Sequence, residues 1–447
     1  MALNLIVLAA GQGTRMVSDR PKVLHDLAHA PLLHHALRAG LTLEPSRIAV
    51  VVGPEGEAVT AATRDLDPEA HIAVQSERRG TAHAVSTALP ALAGTGGDTL
   101  VLYADTPLLS PDTLAALQTA RQSHDVVVLG FEAADPARYG RLIRAEDGTL
   151  DRIVEWKDAT DAERAVTLCN SGVVCAATEL LEALLPRIGN ANAAGEYYLT
   201  DIVGLARAEG RSCGVVICPE AETLGVNSRA DLAAAEAAFQ ARARVAALAA
   251  GVTLTAPETV HFAWDTALGR DVSVEPNVVF GPGVTVETGA RIRAFSHLEG
   301  CHVSSGAVIG PYARLRPGAE IGGDARIGNF VEVKAAEIGH GAKVNHLSYV
   351  GDAEIGEGAN LGAGTVTCNY DGVSKHRTVI GARAFIGSDT MLVAPVRVGA
   401  EAMTGSGSVI TTDVPDGALA LGRARQDTKP GLARKLMARL RAAKDRP

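Results

Sequence analysis

Small aliphatic residues recur at intervals of about six through the second half of the chain. From about Val272 onward many of them are followed directly by glycine. A repeat this short cannot bury its own apolar face, so consecutive repeats must stack on one another. The pattern predicts a parallel β-helix of hexapeptide repeats, with three short strands in each coil and the aliphatic side chains pointing inward. The interval is strictly six in the run Ile380, Ile386, Leu392, Val398, Thr404 and Ile410.

One segment interrupts the repeat. Residues 367–379, with the sequence TCNYDGVSKHRTV, break the six-residue interval. We expect this segment to leave the coil as a projecting loop. Loops held by a rigid scaffold often carry functional residues.

The first 226 residues instead alternate short apolar runs with segments of helical periodicity. This alternation is typical of an α/β domain with a Rossmann-like, mostly parallel sheet covered on both faces. In such sheets ligands bind beyond the carboxyl ends of the strands. Strands are predicted at residues 4–10, 48–52, 72–75, 99–103, 126–131 and 215–218, and helices at 31–41, 81–92 and 111–123.

The first apolar run continues into the sequence LAAGQGTR at residues 8–15. Glycines directly after a strand, here Gly11 and Gly13, let backbone N–H groups approach a phosphate without a Cβ in the way. Arg15 and Lys22 add positive charge, and Arg can bind two phosphate oxygens at once. The combination favours a triphosphate site over a plain glycine turn, and it matches neither the GxGxxG nor the Walker pattern.

A triphosphate site needs a divalent cation to neutralise charge on the phosphoryl oxygens. Mg²⁺ prefers oxygen ligands, of which the protein usually supplies one or two. Asp105 follows a predicted buried strand and Asn227 lies just before a predicted helix, so both are candidate ligands. Each of them taken alone is more typical of a turn or a helix cap.

Composition and pattern divide the chain into four parts. We expect an α/β domain at residues 1–227, an alanine-rich linking helix at 228–251, the β-helix at 252–426 and a basic tail at 427–447. The linking helix begins with an S-x-x-D cap. From Lys429 to Pro447 the tail has seven Lys and Arg against one acid, Asp445. A solvated helix is the favoured interpretation of the tail, and docking on a partner or an anionic lipid is the alternative.

Charge and cysteine content exclude several functional classes. The formal net charge of −9 argues against nucleic acid as a partner. The six cysteines show no CxxC spacing, so neither a zinc site nor a disulfide framework is expected, and a reducing cytoplasm fits best. We also expect no signal peptide and no membrane span, because the N-terminus has no basic region and no apolar stretch is long enough.

Several motifs together resemble known enzyme families. The glycine-rich segment, with PKVL at 21–24, YAD at 103–105 and IVEWKD at 153–158, is similar to the sugar-1-phosphate nucleotidyltransferases. Five motifs of the second half resemble the bifunctional N-acetylglucosamine-1-phosphate uridyltransferase/glucosamine-1-phosphate N-acetyltransferase family, in which the β-helix is left-handed. These motifs are RLRPGA at 314–319, GNFVE at 328–332, HLSY at 346–349, GAGT at 362–365 and CNYDG at 368–372.

For the first domain the resemblance implies Mg²⁺-dependent transfer of a uridylyl group from UTP to N-acetylglucosamine-1-phosphate, with release of pyrophosphate. It implies Asp105 and Asn227 as the Mg²⁺ ligands. Ala104 and Gln12 stand where Gly and Lys are common in the family, and we expect both to affect nucleotide affinity. The residues implied to bind UTP or the UDP-sugar are Leu8, Ala9, Gly11, Gly13, Arg15, Lys22, Gln75, Gly80, Thr81, Tyr103, Asp105, Gly140, Glu155, Asn170 and Asn227.

For the second domain the resemblance implies acetyl transfer from acetyl-CoA to glucosamine-1-phosphate. The reaction needs a base to take the amine proton, and His346 is the best candidate because imidazole titrates near neutrality. The implied sugar-phosphate residues are Arg316, Lys334, Tyr349, Asn360 and Lys375. The implied acetyl-CoA residues are Ala363, Asn369, Tyr370, Ser388, Ser406 and Arg423.

The resemblance also implies a homotrimer with acyl-CoA sites between subunits. One alternative is a single-activity sugar-1-phosphate nucleotidyltransferase whose β-helix is only structural. His346 beside the Asn369–Tyr370 loop argues against it, because a structural coil does not need these residues. The other alternative is a non-enzymatic scaffold that binds sugar nucleotides, and the cations and metal ligands of the first domain argue against that.

Overall fold

The computed structural model of the chain describes residues 2–444. It consists of two compact units, residues 1–243 and 244–447, and the division falls inside the longest helix. The helices are α1 (Leu32–Leu41), α2 (Glu57–Leu66), α3 (Thr81–Ala88), α4 (Pro111–Ala120), α5 (Asp161–Arg164), α6 (Thr178–Leu184), α7 (Asp201–Ala208), α8 (Arg229–Ala249) and α9 (Leu432–Lys444). Short 3₁₀ turns lie at Thr14–Met16, Lys22–Leu24, Leu89–Leu92, Leu185–Arg187, Glu220–Thr223 and Pro257–Thr259.

One nine-stranded sheet forms the centre of the first unit, in the order β11-β7-β10-β6-β1-β4-β5, with β8 paired to β10 and β9 paired to β8. Along this order all neighbours are parallel except β10, which runs antiparallel to β6 and β7. The predicted mostly parallel α/β fold is confirmed. The strands are β1 (Leu3–Leu8), β2 (Asp26–Leu27), β3 (Ala30–Pro31), β4 (Arg47–Val52), β5 (His71–Val74), β6 (Asp98–Tyr103), β7 (Val126–Glu132), β8 (Arg141–Arg144), β9 (Leu150–Val154), β10 (Leu168–Ala177) and β11 (Cys213–Cys218).

The antiparallel strand β10 is not predicted from the sequence. Its apolar residues are interrupted by Asn170, Ser171 and Gly172, which are typical of a turn. The structure accommodates them as an irregularity in the pairing with β7, between Asn170 and Val174. The bulge interrupts the ladder next to the candidate site, where such irregularities commonly occur.

Side chains of β1 alternate between two apolar cores, as the two-residue period of a strand requires. Leu5 and Val7 lie in one core with residues of α1 and α4. Ile6 and Leu8 lie in the other with residues of α3, α6 and α7. The helices therefore cover both faces, which leaves the carboxyl ends of the strands as the open edge.

The start of α8 is fixed by the predicted cap. Asp231 Oδ2 accepts the backbone N–H groups of Asn227 and Ser228 at 3.0 and 2.9 Å, and Ser228 Oγ accepts the Asp231 N–H at 3.2 Å. These reciprocal bonds satisfy N–H groups that a helix start otherwise leaves without partners. They also fix the backbone of Asn227.

Short parallel strands stack coil upon coil in the second unit and form one ten-stranded and one fourteen-stranded sheet. All inward hexapeptide positions of the strict run are buried, with exposed fractions of 4% or less. The predicted β-helix is confirmed. Its strands are β12 (Thr253–Leu254), β13 (Ala267–Leu268), β14 (Ser273–Val274), β15 (Val279–Phe280), β16 (Thr285–Val286), β17 (Arg291–Ile292), β18 (His297–Leu298), β19 (Cys301–Val303), β20 (Val308–Ile309), β21 (Arg314–Leu315), β22 (Ala319–Ile321), β23 (Arg326–Asn329), β24 (Glu332–Ile338), β25 (Lys343–His346), β26 (Tyr349–Ile355), β27 (Asn360–Leu361), β28 (Val366–Cys368), β29 (Thr378–Ile380), β30 (Phe385–Ile386), β31 (Met391–Val393), β32 (Val396–Val398), β33 (Met403–Thr404), β34 (Val409–Ile410) and β35 (Leu419–Ala420).

The predicted interruption of the coil is observed between β28 and β29. Residues 369–377 leave the coil, and Tyr370 pairs with Lys375 across the loop. The predicted loop is too long by two residues at each end, because Thr367 and Cys368 still belong to β28 and Thr378 and Val379 belong to β29. The coil that contains the loop is therefore longer than its neighbour. Leu361 pairs with Ile386 in the next coil, whereas the preceding pair, Val344 and Leu361, is separated by only 17 residues.

The basic tail contains α9, whose residues are all exposed. The favoured interpretation of a solvated helix agrees with this exposure, and Asp445 lies outside the described residues. Among residues 2–444, no helix has the length and apolar character needed to cross a membrane.

Candidate active sites

A cavity of about 230 Å³ opens at the carboxyl edge of the first unit's sheet. Eight residues from the predicted UTP set line it: Leu8, Gly11, Lys22, Gln75, Gly80, Thr81, Tyr103 and Asp105. Ala9 is buried directly after β1. Gly13 and Arg15 lie on the adjoining loop, where Arg15 is exposed. The edge position is the one that parallel strands predict for a ligand.

Lys22 connects the two candidate metal ligands. Its ammonium group donates a hydrogen bond to Asn227 Oδ1 at 3.0 Å and another to the Asp105 carboxylate. Lys22 is only 7% exposed. The oxygens of Asp105 and Asn227 thus converge on one positive charge, although neither residue is near the other in the sequence.

The loop after β5 is tied to a distant segment of the chain. Gln75 Nε2 donates to Gly80 O at 3.1 Å, and Gly80 has a backbone φ of 114°, which side-chain-bearing residues rarely adopt. A Cβ at Gly80 would lie 2.5 Å from Tyr197 O. Thr81 Oγ1 accepts the Leu199 N–H at 2.9 Å. The Gly80–Thr81 backbone is therefore held at the cavity wall by close contact with residues 197–199.

Arg78 also lines this cavity, and the sequence did not single it out. Its Nε donates to Ala10 O at 2.8 Å. A Cβ on Gly53 would lie 2.6 Å from Arg78 Nη2, so the absence of a side chain at Gly53 leaves room for the guanidinium group. The two positively charged residues of the cavity wall are thus Lys22 and Arg78. The only available signal was a cation on a loop after a strand, which is common on protein surfaces.

Gly140, Glu155 and Asn170 come together beside this edge of the sheet. Asn170 N donates to Gly140 O at 2.9 Å, and a Cβ on Gly140 would lie 3.5 Å from both carboxylate oxygens of Glu155. Burial raises the pKa of Glu155, and the Asp158 and Asp201 carboxylates add to the rise. The hydroxyl of Thr200, 3.2 Å from Glu155 Oε1, opposes it. The cluster offers a carboxylate, an amide and an open glycine, which suit a polyhydroxylated ligand.

Tyr103 lies between the cavity and this cluster. Gly172 packs on its ring, since a Cβ there would lie 2.9 Å from Tyr103 Cε2. Burial, followed by the nearby Asp105 carboxylate, raises the pKa of Tyr103 well above its usual range. The phenol therefore stays protonated and neutral at the junction of the two groups of residues.

In the second unit, cations stack along one face of the coil. Leu315 pairs with Val333, so the residues that follow, Arg316 and Lys334, are neighbours in consecutive coils as their spacing predicts. Arg316 Nη1 lies 2.8 Å from Glu332 Oε1. Lys334 Nζ lies 3.5 Å from Asp352 Oδ1.

Lys375 brings a third positive charge to this face from the projecting loop. The adjacent Lys334 ammonium lowers the pKa of Lys375. Asn369 also contacts this group, because its Nδ2 donates to Tyr349 Oη at 3.3 Å and to the Asp352 carboxylate. The predicted sugar-phosphate residues are thus adjacent, except for Asn360, which lies in β27 on the ten-stranded sheet. Like charges held this close favour an anionic ligand between them.

Asp371 organises the projecting loop. Its Oδ1 accepts the N–H groups of Val373 and Ser374 at 2.8 and 2.7 Å, and its Oδ2 lies 2.7 Å from His376 Nε2. The backbone N–H of Ser374, the His376 ring and the Val373 N–H hold the pKa of Asp371 well below its usual range. Asp371 was not predicted as a functional residue, because an Asp before Gly is typical of any turn.

His346 belongs to a column of residues along one corner of the β-helix. The residue that directly follows each member of the column donates its backbone N–H to the carbonyl oxygen of the member in the preceding coil. These bonds run from Gly364 to His346 O at 3.2 Å, from Asp389 to Ala363 O at 2.7 Å and from Gly407 to Ser388 O at 2.8 Å. His346, Ala363, Ser388 and Ser406 therefore follow one another in successive coils. Three other predicted residues lie outside this column. Asn360 is in β27, three residues before Ala363, and Tyr370 is in the projecting loop. Arg423 follows β35 and is exposed.

The column continues in the opposite direction to Asn329, one coil before His346. Asn329 Oδ1 lies 2.7 Å from His346 Nδ1. Asn329 was not predicted as a site residue, and neither were Asp352 and Glu332. Their contacts join residues in different coils, so only the coil register reveals them.

Comparison with known proteins gives a consistent result over the whole chain. Residues 5–195 match the model of the MobA-like NTP transferase domain. The chain is 63% identical over 443 residues to the bifunctional protein GlmU of Jannaschia sp., covering 99% of this chain and 97% of that protein. The GlmU proteins of Cereibacter sphaeroides and Paracoccus denitrificans are 68% and 66% identical over 444 and 440 residues, covering 99% and 98% of this chain and 97% and 98% of theirs.

Proposed function

Because this chain belongs to the family of bifunctional GlmU proteins, we infer that the cavity of residues 1–243 and the histidine corner of residues 244–447 are its two active sites. The enzyme N-acetylates glucosamine-1-phosphate with acetyl-CoA. It then transfers a uridylyl group from UTP to N-acetylglucosamine-1-phosphate. The convergence of Lys22, Asp105 and Asn227 is the observation that best supports the location of the uridylyl site.

Mg²⁺ fits the pair Asp105 and Asn227. Their two oxygens already converge on one cation, the Lys22 ammonium, and one carboxylate with one neutral oxygen is a typical protein share of a Mg²⁺ site. When bound, the metal neutralises charge on the reacting phosphates. The remaining ligands of such a metal would come from phosphate and water.

The remaining residues of the first site bind and orient the substrates. We propose that the loop N–H groups at Gly11 and Gly13, with Arg15 and Lys22, hold the triphosphate, and that Gln75 with the Gly80–Thr81 backbone reads the uracil. Gly140, Glu155 and Asn170 hold the sugar. An oxygen of the sugar phosphate attacks the α-phosphorus in line and pyrophosphate leaves, so catalysis is positioning and charge stabilisation, with no covalent protein intermediate.

In the second site the positive charges of Arg316, Lys334 and Lys375 bind the phosphate of glucosamine-1-phosphate. Tyr349 and Asn360 contact the sugar, and the Asn369–Tyr370 loop lies beside its amine. The amine nitrogen attacks the thioester carbonyl carbon and the C–S bond breaks, so that the amine proton passes to His346 and CoA leaves as the thiolate. We propose that Ala363, Ser388, Ser406 and Arg423 line the acetyl-CoA site.

We further propose that the enzyme is a cytoplasmic homotrimer. All six cysteines are unpaired thiols, a state that a reducing compartment maintains. Ala363, Ser388 and Ser406 follow one another in successive coils and would supply one wall of the proposed acyl-CoA site. A second subunit would supply the other wall.

The test is to measure CoA thiol release from acetyl-CoA on addition of glucosamine-1-phosphate, without UTP. Release that depends on the amino sugar supports a second active site. Failure of a folded protein to release CoA would leave a uridyltransferase with a structural β-helix. Pyrophosphate release from UTP and N-acetylglucosamine-1-phosphate, measured in parallel, follows the first site.

Two variants assign the sites. His346→Ala should abolish CoA release and preserve pyrophosphate release, and Asp105→Ala should have the opposite effect. Equal loss of both activities in either variant would contradict two independent sites. An Asp105→Ala enzyme with full Mg²⁺-dependent pyrophosphate release would exclude Asp105 as a ligand.

A further inference from the structure

Asn329 and His346 occupy equivalent positions in consecutive coils. β23 ends at Asn329, β25 ends at His346, and the two residues are register partners in these parallel strands. The Leu347 N–H donates to Asn329 O at 3.0 Å, and the Gly364 N–H donates to His346 O at 3.2 Å. Backbone bonds on both sides therefore fix where the two side chains leave the coil.

The side chains meet at the imidazole nitrogen Nδ1. Asn329 Oδ1 lies 2.7 Å from it, a normal hydrogen-bond distance. An amide oxygen accepts and cannot donate, so the ring nitrogen that faces it must carry the proton. Nε2 of the same neutral ring then has a lone pair, and within residues 2–444 it has no hydrogen-bond partner.

We propose that Asn329 is a positioning residue for acetyl transfer, which holds His346 in the tautomer that presents Nε2 as the base. This inference depends on the proposed role of His346. The amine proton goes to Nε2 as the C–N bond forms, while Nδ1 keeps its proton and its bond to Asn329. The amide fixes both the ring orientation and the nitrogen that is ready to accept.

An uncharged partner suits this task. A carboxylate in the same position would also orient the ring, but its charge would favour the imidazolium form and raise the pKa of the base. The register partner of His346 in the preceding coil is Asn329, and Ala363 occupies the equivalent place in the following coil; neither is charged. The ring is thus oriented by a partner that adds no charge of its own.

Two substitutions at this position separate orientation from charge. Asn329→Ala removes the acceptor, and we expect kcat for acetyl transfer to fall about tenfold or more while KM for both substrates changes less than about threefold. Asn329→Asp keeps an acceptor and adds a negative charge, so most of kcat should return. The acidic limb of its pH–rate profile should move to higher pH, by about one unit.

Thr285→Asp is the matched control for added charge. Thr285 is exposed and is the register partner of His302 in an earlier pair of coils, so this variant places a carboxylate opposite a histidine outside the proposed site. Its pH–rate profile should match that of the unmodified enzyme. A profile that shifts equally in Thr285→Asp and Asn329→Asp would overturn the inference, because the shift would then reflect net charge.

His346→Ala distinguishes failure of the inference from failure of the proposed function. If His346→Ala retains acetyl transfer, His346 is not the base, and this result contradicts both its proposed role and that of Asn329. If His346→Ala is inactive while both Asn329 variants have the kcat and pH profile of the unmodified enzyme, only the role of Asn329 falls. Circular dichroism and thermal unfolding report in every variant whether the β-helix has folded, and pyrophosphate release reports the same for the first unit.

Discussion

The ammonium nitrogen of Lys22 lies 3.0 Å from the amide oxygen of Asn227, a residue 205 positions further along the chain. The same nitrogen donates to Asp105, so a protein cation lies between the two proposed metal ligands. A divalent ion at this point would be close to the Lys22 charge. Two unit charges about 4 Å apart interact by roughly 4 kcal/mol near a protein surface, and the second charge of the metal doubles this repulsion.

Lys22→Met should therefore increase the affinity of the nucleotide-free enzyme for divalent cations by about tenfold or more. Mn²⁺ binding followed by electron paramagnetic resonance measures this directly. The same variant should lose most of its uridyltransferase activity, because Lys22 is also proposed to hold the triphosphate.

Arg78→Met is the control for that experiment. It removes a cation from the same cavity wall, but Arg78 contacts Ala10 O, and no bond joins it to Asp105 or Asn227 within the described residues. Its nucleotide-free Mn²⁺ affinity should stay within about twofold of the unmodified enzyme. Equal Mn²⁺ affinity of Lys22→Met and the unmodified enzyme would show that Lys22 does not compete with the metal.

Glu155→Gln should stabilise the protein at neutral pH while weakening sugar binding. The folded-state pKa of Glu155 is raised above its unfolded value, so the folded state loses stability as pH rises from the unfolded pKa through the folded one. The Glu155→Gln side chain does not ionise, so the variant does not lose this stability as the pH rises. We expect a higher Tm at pH 7, no gain well below the unfolded pKa, and a KM for N-acetylglucosamine-1-phosphate raised about tenfold. A Tm difference that is the same at every pH would contradict the ionisation argument.

Gly80→Ala should destabilise the first unit by about 2 kcal/mol or more and raise KM for UTP, because the new Cβ would lie 2.5 Å from Tyr197 O and the backbone φ is 114°. Gly94→Ala is the matched control: Gly94 also has positive φ, but no atom lies within 4 Å of its Cβ position. Gly94→Ala should cost about 1 kcal/mol and leave KM unchanged. Urea denaturation and initial-rate kinetics measure both effects, and equal costs would show that the Tyr197 contact is unimportant.

Asp371→Ala should lower kcat/KM for acetyl transfer about tenfold, because the loop that carries Asn369, Tyr370 and Lys375 loses the bonds that shape it. Asp371→Asn keeps an acceptor for the Val373 and Ser374 N–H groups and should lose less. Pyrophosphate release should be unaffected in both. Equal losses for Ala and Asn would assign the effect to the Asp371–His376 contact instead of the backbone bonds.

Several features of the site were accessible from local sequence. Gly11, Gln75 and Asp105 lie at the ends of apolar runs, and strand ends in a parallel sheet meet at one edge, so their convergence on one cavity was predictable. Asn329, Asp352 and Arg78 were missed for one common reason. Each acts through a contact with a residue in another strand or coil, and a side chain's own neighbours in sequence do not indicate that contact.

The sequence by itself determined the architecture of both units. The six-residue interval permits only stacked coils, because positions such as Ile386 and Leu392 can be buried in no other way, and the alternation of apolar runs with helical segments requires a covered parallel sheet. Only the tertiary structure decided that β10 runs antiparallel with a bulge at Asn170, that Lys22 lies between Asp105 and Asn227, and that Asn329 faces His346. These relationships depend on register and packing between segments far apart in the chain, which local periodicity does not specify.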